Sequence, residues 1–255
     1  MLLAQLSDPH IGATPRHMPH GMLPADTLQR AVAQLLASTV PPDAVLVSGD
    51  LVERGLPAEY AELRAVLARL PMPAYLMVGN HDDRDALRAA FPDHAYLQAG
   101  GAFVQYAFDA SDWRVVVLDS LDPGVSSGRV CEHRLQWLEE ELGGDDRRDV
   151  ALFVHHQPFA TGIPHVDASR LLDAEALEHV IRRHERVRRI GCGHVHRAMQ
   201  TTWAGRAATT CPSVYFQFAP DFRADGRCVP AAEMPGYQLH RFSGRELLTY
   251  TVAIA

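Results

Sequence analysis

The chain has 255 residues, 47% of them hydrophobic, which is enough for one large domain with a full core. Its formal net charge of -7 argues against a dedicated nucleic-acid surface, because such a surface needs a basic face. No apolar run reaches the roughly 18 residues of a membrane span, and the N-terminus has neither the basic n-region nor the cleavage site of a signal peptide. A cytoplasmic protein with no membrane and no nucleic-acid partner is expected. Cys131, Cys192, Cys211 and Cys228 form no CxxC pair and no disulfide framework, so they read as reduced thiols.

Leu2–Leu6 is a short apolar run. Pro24–Ser38 has helical spacing, with Leu28, Val32, Leu35 and Leu36 on one face. Ala44–Ser48 reads as a second buried strand, Ala58–Leu70 as an amphipathic helix, Ala74–Val78 as a third strand and Arg84–Phe91 as a short helix. This βαβαβ order predicts right-handed crossovers and a largely parallel sheet. Phe103–Phe108 and Arg114–Asp119 read as a hairpin about a turn at Asp109–Asp112. Cys131–Leu142 is a predicted helix, Val150–Val154 a strand, Asp173–His184 a helix with Asp173 as N-cap, and Val187–Gly191 a strand. Short strands follow at Ala198–Trp203, Arg206–Thr210, Val214–Phe218, Tyr237–Phe242 and Leu247–Ile254. The pattern predicts an α/β fold of two stacked sheets with helices outside. With no repeat, low-complexity tract or linker, residues 1–255 read as one domain, with the C-terminal strands in 212–255.

Seven metal-binding side chains sit at the ends of these hydrophobic runs: Asp8, His10, Asp50, Asn80, His155, His194 and His196. Each lies where a strand gives way to a Gly-, Pro- or Asn-containing turn. Five strand ends converging on one place would gather seven oxygen and nitrogen ligands in a small volume, with Asp50 shared. That describes a two-metal hydrolytic site, in which a carboxylate bridges ions roughly 3.5–4 Å apart.

The individual signals differ in strength. Asp8-Pro9-His10 sets two ligands two residues apart, where extended backbone aims both side chains the same way; alone it also reads as a turn. Asp50, at the end of a buried strand, is costly unless paired or metal-bound, and its alternative role is a turn or helix cap. In Gly79-Asn80-His81-Asp82, Asn80 offers a carbonyl oxygen and His81 is placed to face substrate. Asp82 and Asp83 are expected to cap the next helix or hold His81. His155 follows its strand directly and is taken as the ligand, leaving His156 behind it or facing substrate. In Cys192-Gly193-His194-Val195-His196 two alternating histidines serve one ion each, and Cys192 is not expected to ligate. His165, in the loop after the fourth ligand segment, is a candidate substrate contact. His17, His20, His94, His133, His179, His184 and His240 read as surface or helix residues.

The segments DPH, GDLVERG, GNHD, HHQP and GHVH, in that order across residues 8–196, make the chain resemble the calcineurin-like metallophosphoesterases. The resemblance is closest to the bacterial class III cyclic-nucleotide phosphodiesterases and their glycerophosphodiesterase relatives, and Cys211-Pro212-Ser213, Gln217-Phe218 and Pro235-Gly236-Tyr237 fit that subgroup. It implies a four-layer αββα sandwich with two stacked mixed sheets. It implies one metal ion on Asp8, His10 and His196, a second on Asn80, His155 and His194, and Asp50 bridging them. His81 would stabilise the transferring phosphoryl group or protonate the leaving oxygen, and Asn80 would also meet the substrate.

The implied activity is hydrolysis of a small phosphodiester. Cyclic AMP opened to the 5′-monophosphate is the first expectation. Glycerophosphodiesters, other diesters or monoesters are the alternative, and a non-catalytic scaffold the remote one, since scaffolds show eroded ligands. The mixed N/O donors suit Mn²⁺, Fe, Zn²⁺ or Co²⁺ without choosing among them. Pro220–Met234 looks particular to this chain and is expected to form part of a substrate lid. The apolar C-terminus, Val252–Ala255, is expected to be an edge strand or part of a homodimer or higher homo-oligomer contact.

Overall fold

The computed structural model describes residues 1–14, 21–144 and 147–255; His17 and His20 lie outside the described residues. The elements run β1 (Leu2–Leu6), α1 (Pro24–Leu36), β2 (Ala44–Ser48), α2 (Pro57–Leu67), β3 (Ala74–Met77), α3 (Arg84–Ala90) and α4 (Tyr96–Ala99). The middle of the chain contributes β4 (Tyr106–Ala110), β5 (Trp113–Leu118), α5 (Glu132–Gly143), β6 (Asp149–Val154), α6 (Pro164–Asp167), α7 (Ala174–Arg183) and β7 (Val187–Cys192). The last part adds β8 (Met199–Trp203), β9 (Arg206–Thr210), β10 (Gln217–Phe218), β11 (Pro230–Ala231), β12 (Gly236–Ser243) and β13 (Glu246–Ala253).

Two mixed sheets result, ordered β13-β12-β1-β2-β3 and β4-β5-β6-β7-β9-β8, with β10 and β11 forming a separate ribbon. Pairing is parallel through β1, β2 and β3 and through β5, β6, β7 and β9, and antiparallel at the flanks. The period-2 alternation of a strand explains the layering. Val115 and Val117 join the cluster that includes Leu3, Leu46, α1 and α2, whereas Val116 and Leu118 join the one formed with Leu138 of α5 and Leu177 and Ile181 of α7. Both faces of the central strands are therefore covered, and their sequences read as continuous apolar runs. Pro24 and Pro57 stand in the first turns of α1 and α2, where a missing N–H costs nothing.

Several boundaries differ from expectation, each for a local reason. The strand expected from Phe103 begins only at Tyr106, because the Val104 N–H is taken by Asp119 Oδ2 at 2.8 Å and Phe103 lies under the guanidinium groups of Arg84 and Arg134. The strand expected over Val214–Phe218 shrinks to Gln217–Phe218 because the Ser213 hydroxyl accepts the N–H groups of Tyr215 and Phe216, folding the backbone into a turn. Asp173 occupies the position before α7, but its side chain makes no capping bond. His240 is no surface residue: it is wholly buried in β12 between the sheets. The C-terminal residues form the edge strand β13, with Ile254 tucked in. No helix among the described residues is long and apolar enough to cross a membrane.

Candidate metal centre

The parallel strands β1, β2 and β3 of one sheet and β6 and β7 of the other run toward the same edge of the molecule. Ligands of open parallel sheets gather outside such carboxyl ends. There the chain brings Asp8, His10, Asp50 and His196 into one group, and His155, His156 and His194 into another, with the ligand atoms of each group within 4.8 Å of one another. Asp50 lies between the groups, its Oδ2 being 3.6 Å from His10 Nε2 and 3.4 Å from His155 Nε2. Asp8 Oδ1 is 3.5 Å from His196 Nε2. Asn80 Oδ1 and His155 Nε2 are buried without a hydrogen-bond partner.

The backbone shapes the cluster in a way the strand pattern does not suggest. Extended alternation was expected to align Asp8 with His10 and His194 with His196. Instead all four, and Asp50, are left-handed, with φ of 53°, 47°, 64°, 51° and 47° respectively. Each such residue costs on the order of 1–3 kcal/mol, and such strain collects at functional sites. The only other non-glycine residues described with positive φ, Ser111 and Ala204, sit in hairpin turns. Two glycines make the approach of these loops feasible. A Cβ on Gly49, whose φ is +94°, would fall 2.2 Å from His155 Nδ1, and one on Gly79 would fall 2.2 Å from Asp50 Oδ1.

Hydrogen bonds orient three histidines alike. The Nδ1–H groups of His10, His155 and His196 donate to Glu53 Oε2 (2.9 Å), Ser48 O (2.8 Å) and Phe216 O (3.0 Å). Each then presents Nε2 to the cluster, the arrangement of a metal-ligating imidazole held by an outer partner. His194 Nε2 pairs with Ser169 Oγ at 2.9 Å. His156, whose role was open, lies behind the ligands: its Nδ1 meets Ser120 Oγ at 2.8 Å, while burial and the neighbouring His194 and His155 hold its pKa well down.

Burial pushes the Asp50 carboxyl up, but His155, His10 and His81 outweigh it and hold the pKa well below the usual range. Burial alone would lower His155; Asp50 and Asp8 outweigh it and raise the pKa to about 9. A cation binding there must displace that proton, so binding tightens as pH rises. The donor set, oxygen and imidazole nitrogen with buried unpartnered acceptors, fits divalent cations.

Asp83 caps α3 by accepting from the Ala86 N–H. Asp82 neither caps nor touches His81. Its carboxyl accepts from the Leu51 and Gly79 N–H groups and the Tyr60 hydroxyl, stapling the Asp50 loop to the Asn80 loop. Burial and Asp50 together raise its pKa to about 7. Glu53 went unassigned in the sequence although it lies three residues beyond Asp50; it holds His10 through its carboxylate and His81 Nδ1–H through its carbonyl, at 2.8 Å.

A cavity of about 340 Å³ opens onto the donors, with Asn80, His81, His165, Phe216 and Phe218 in its walls. Both ring nitrogens of His165 are buried without partners. The ribbon of β10 and β11 brackets residues 219–229 at the rim, where Cys228 lines the cavity.

A family model described as calcineurin-like phosphoesterase matches residues 1–198. A probable cyclic nucleotide phosphodiesterase of Rhodopseudomonas palustris is 34% identical over 93% of this chain and 86% of its own length. The glycerophosphodiester phosphodiesterase GpdQ of Enterobacter lignolyticus is 31% identical over 100% of this chain and 92% of its own. The 3′,5′-cyclic adenosine monophosphate phosphodiesterase CpdA of Escherichia coli is 28% identical over 86% and 78%. Among solved structures, a dimetal phosphatase from Danio rerio shares the fold at a TM-score of 0.72, with 16% identity over 100% of this chain and 99% of that one.

Proposed function

This chain belongs to the calcineurin-like phosphoesterase family, and from that premise we propose that it is a two-metal phosphodiesterase that opens 3′,5′-cyclic nucleotides, cyclic AMP first, to the nucleoside 5′-monophosphate. The observation that carries the reading is the Asp50 carboxylate standing between two donor groups, 3.6 Å from His10 Nε2 and 3.4 Å from His155 Nε2. Asp8, His10 and His196 would hold one ion, Asn80, His155 and His194 the other, and Asp50 both. Cations bound there supply Lewis-acid polarisation of the phosphodiester and lower the pKa of the attacking water.

The remaining work falls to side chains. Because His81 Nδ1–H is committed to the Glu53 carbonyl, Nε2 is the ring nitrogen left for substrate. We assign Nε2, when it too carries a proton, to the developing charge on the phosphoryl group or to protonation of the leaving alkoxide. In-line attack breaks the bond from phosphorus to the 3′-oxygen, adds the water oxygen to phosphorus and leaves the proton on the 3′-oxygen. Phe216, Phe218 and Val166 offer an apolar wall to a planar base, and His165 lines the same cavity. Residues 220–234 are the segment to close over it, and the cytoplasm is the expected compartment.

A glycerophosphodiester is the second reading, favoured by the relative GpdQ matching the whole chain. The deciding experiment is kcat/KM with Mn²⁺ for 3′,5′-cyclic AMP, glycerophosphocholine and an aryl phosphodiester. Preference for cyclic AMP supports the first reading and preference for glycerophosphocholine the second. Inactivity on all three with two ions bound removes both.

A further inference from the structure

A file of polar side chains runs across β13, β12, β1 and β2, on the face of their sheet that meets the second sheet, and ends on Asp8. Thr249 Oγ1 lies 2.9 Å from His240 Nδ1, and His240 Nε2 lies 2.9 Å from Gln5 Oε1. Gln5 Nε2 is 2.8 Å from Ser48 Oγ, Ser48 Oγ 2.8 Å from Ser7 Oγ, and Ser7 Oγ 2.5 Å from Asp8 Oδ2. Gln5, Ser7, Ser48 and His240 are all 0% exposed. Apolar residues of the same shape would hold the sheets together about as well, since a buried hydrogen bond adds little net stability over a well-packed apolar pair. Stability therefore does not account for the file.

Its direction is determined from both ends. The Asp8 carboxylate accepts, so Ser7 donates to it, and the Ser7 oxygen accepts from Ser48. The Cys192 carbonyl, 3.2 Å from Gln5 Nε2, also accepts, which fixes the Gln5 amide with its NH₂ group toward Ser48 and its oxygen toward His240. His240 then donates from Nε2. Burial, with Arg189 nearby, lowers its pKa to about 3, so the neutral ring accepts at Nδ1 from the Thr249 hydroxyl. Every bond points toward Asp8 Oδ2, and donors aligned head to tail polarise one another. Asp8 Oδ1 faces the other way, toward His196 Nε2, and the His194 N–H reaches both carboxylate oxygens, at 3.1 Å from Oδ1 and 3.2 Å from Oδ2.

We propose that Ser7, Ser48, Gln5 and His240 are positioning residues: their one-way file holds Asp8 Oδ2, turns Oδ1 toward the donor group, and sets cation affinity at the group of Asp8, His10, Asp50 and His196. The proposal rests on the reading of Asp8 as a ligand. Outer partners of metal ligands typically alter affinity by ~10–100-fold.

The test titrates the metal-stripped full chain with Mn²⁺ by calorimetry and follows folding by thermal denaturation of the stripped protein. Ser7→Ala weakens one of the two Mn²⁺ sites by ~10–100-fold and leaves the other unchanged; Ser48→Ala does the same by a smaller factor; Ser7→Thr, which keeps the hydroxyl, recovers most of the loss. Wild-type affinity at both sites in Ser7→Ala overturns the proposal. So does an equal loss in Ser7→Ala and Ser7→Thr, which would make the effect one of packing. Should Ser7→Ala not fold, unchanged affinity in Ser48→Ala overturns it instead. Asp8→Asn separates the two levels. If it loses one ion while Ser7→Ala keeps both, the file alone fails; if it keeps both at full affinity, the ligand reading fails and takes the file with it.

Discussion

Gly79→Ala adds one methyl group where the Asp50 and Asn80 loops meet. The new Cβ would lie 2.2 Å from Asp50 Oδ1, 2.5 Å from Asp50 N and 2.6 Å from His155 Nε2. The contact with Asp50 N involves backbone, so a side-chain rotation does not relieve it. Opening it to 3.0 Å shifts Asp50 by about 0.5 Å, and the Oδ1 contact asks for about 0.8 Å. Catalytic groups tolerate displacement of about 0.5 Å, and a misplacement of ~1 Å can cost ~10²-fold in rate. The variant should therefore fold with a loss of about 1–3 kcal/mol from overpacking, bind the second metal ion poorly, and lose ~10²-fold in kcat/KM on an aryl phosphodiester. Gly143→Ala, at the open end of α5 with nothing within 4 Å, is the control; it should be neutral or slightly stabilising. Gly79→Ala with two ions bound and wild-type kcat/KM would refute the argument that the two loops meet through this glycine.

Three further outcomes are expected. His81→Ala should lower kcat by ~10²–10⁴-fold while elemental analysis still finds both ions; full activity would remove His81 from the chemistry. Asp50→Asn, nearly the same size but uncharged, should lower metal stoichiometry from two toward one, and unchanged stoichiometry would remove the bridge. His240 has a folded pKa of about 3 against an ordinary 6.5. The unfolded chain therefore takes up the proton first, and stability contributed by the neutral ring is intact above pH 6.5 and lost as pH falls toward 3. The full difference amounts to about 5 kcal/mol, so denaturant melts of wild type and His240→Gln should diverge in slope against pH across that window, and parallel curves would show that His240 is not held neutral.

The apolar periodicities that mark β2, α1 and α7 are local properties, and they placed the longer elements within a few residues, whereas α4, α6 and β11, of two to four residues, are too short to show a period and were not expected. They failed where a side chain competes for the backbone, as Asp119 does at Val104 and Ser213 does at Tyr215 and Phe216. The candidate donors were also legible as a set, because a buried Asp or His at the end of an apolar run is costly unless it is paired or metal-bound, and the fold gathers Asp8, His10, Asp50, His155, His194 and His196 into two groups. Asp82 shows the limit of that reasoning: its neighbours suggest a cap, but its partners are the Leu51 and Gly79 N–H groups, the first of them 31 residues away in the chain.

The sequence by itself determined which side chains stand as candidate ligands at the strand ends and in what order the strands present them, since residue type and spacing are written along the chain. Only the tertiary structure decided how they meet: the insertion of β1 between β2 and β12, the left-handed turns that aim five of the donors, and the file from Thr249 to Asp8. Those features depend on residues that are unremarkable one at a time, such as Gln5, Ser7 and His240. Their roles exist only once hydrogen bonding and burial bring together parts of the chain more than 200 residues apart.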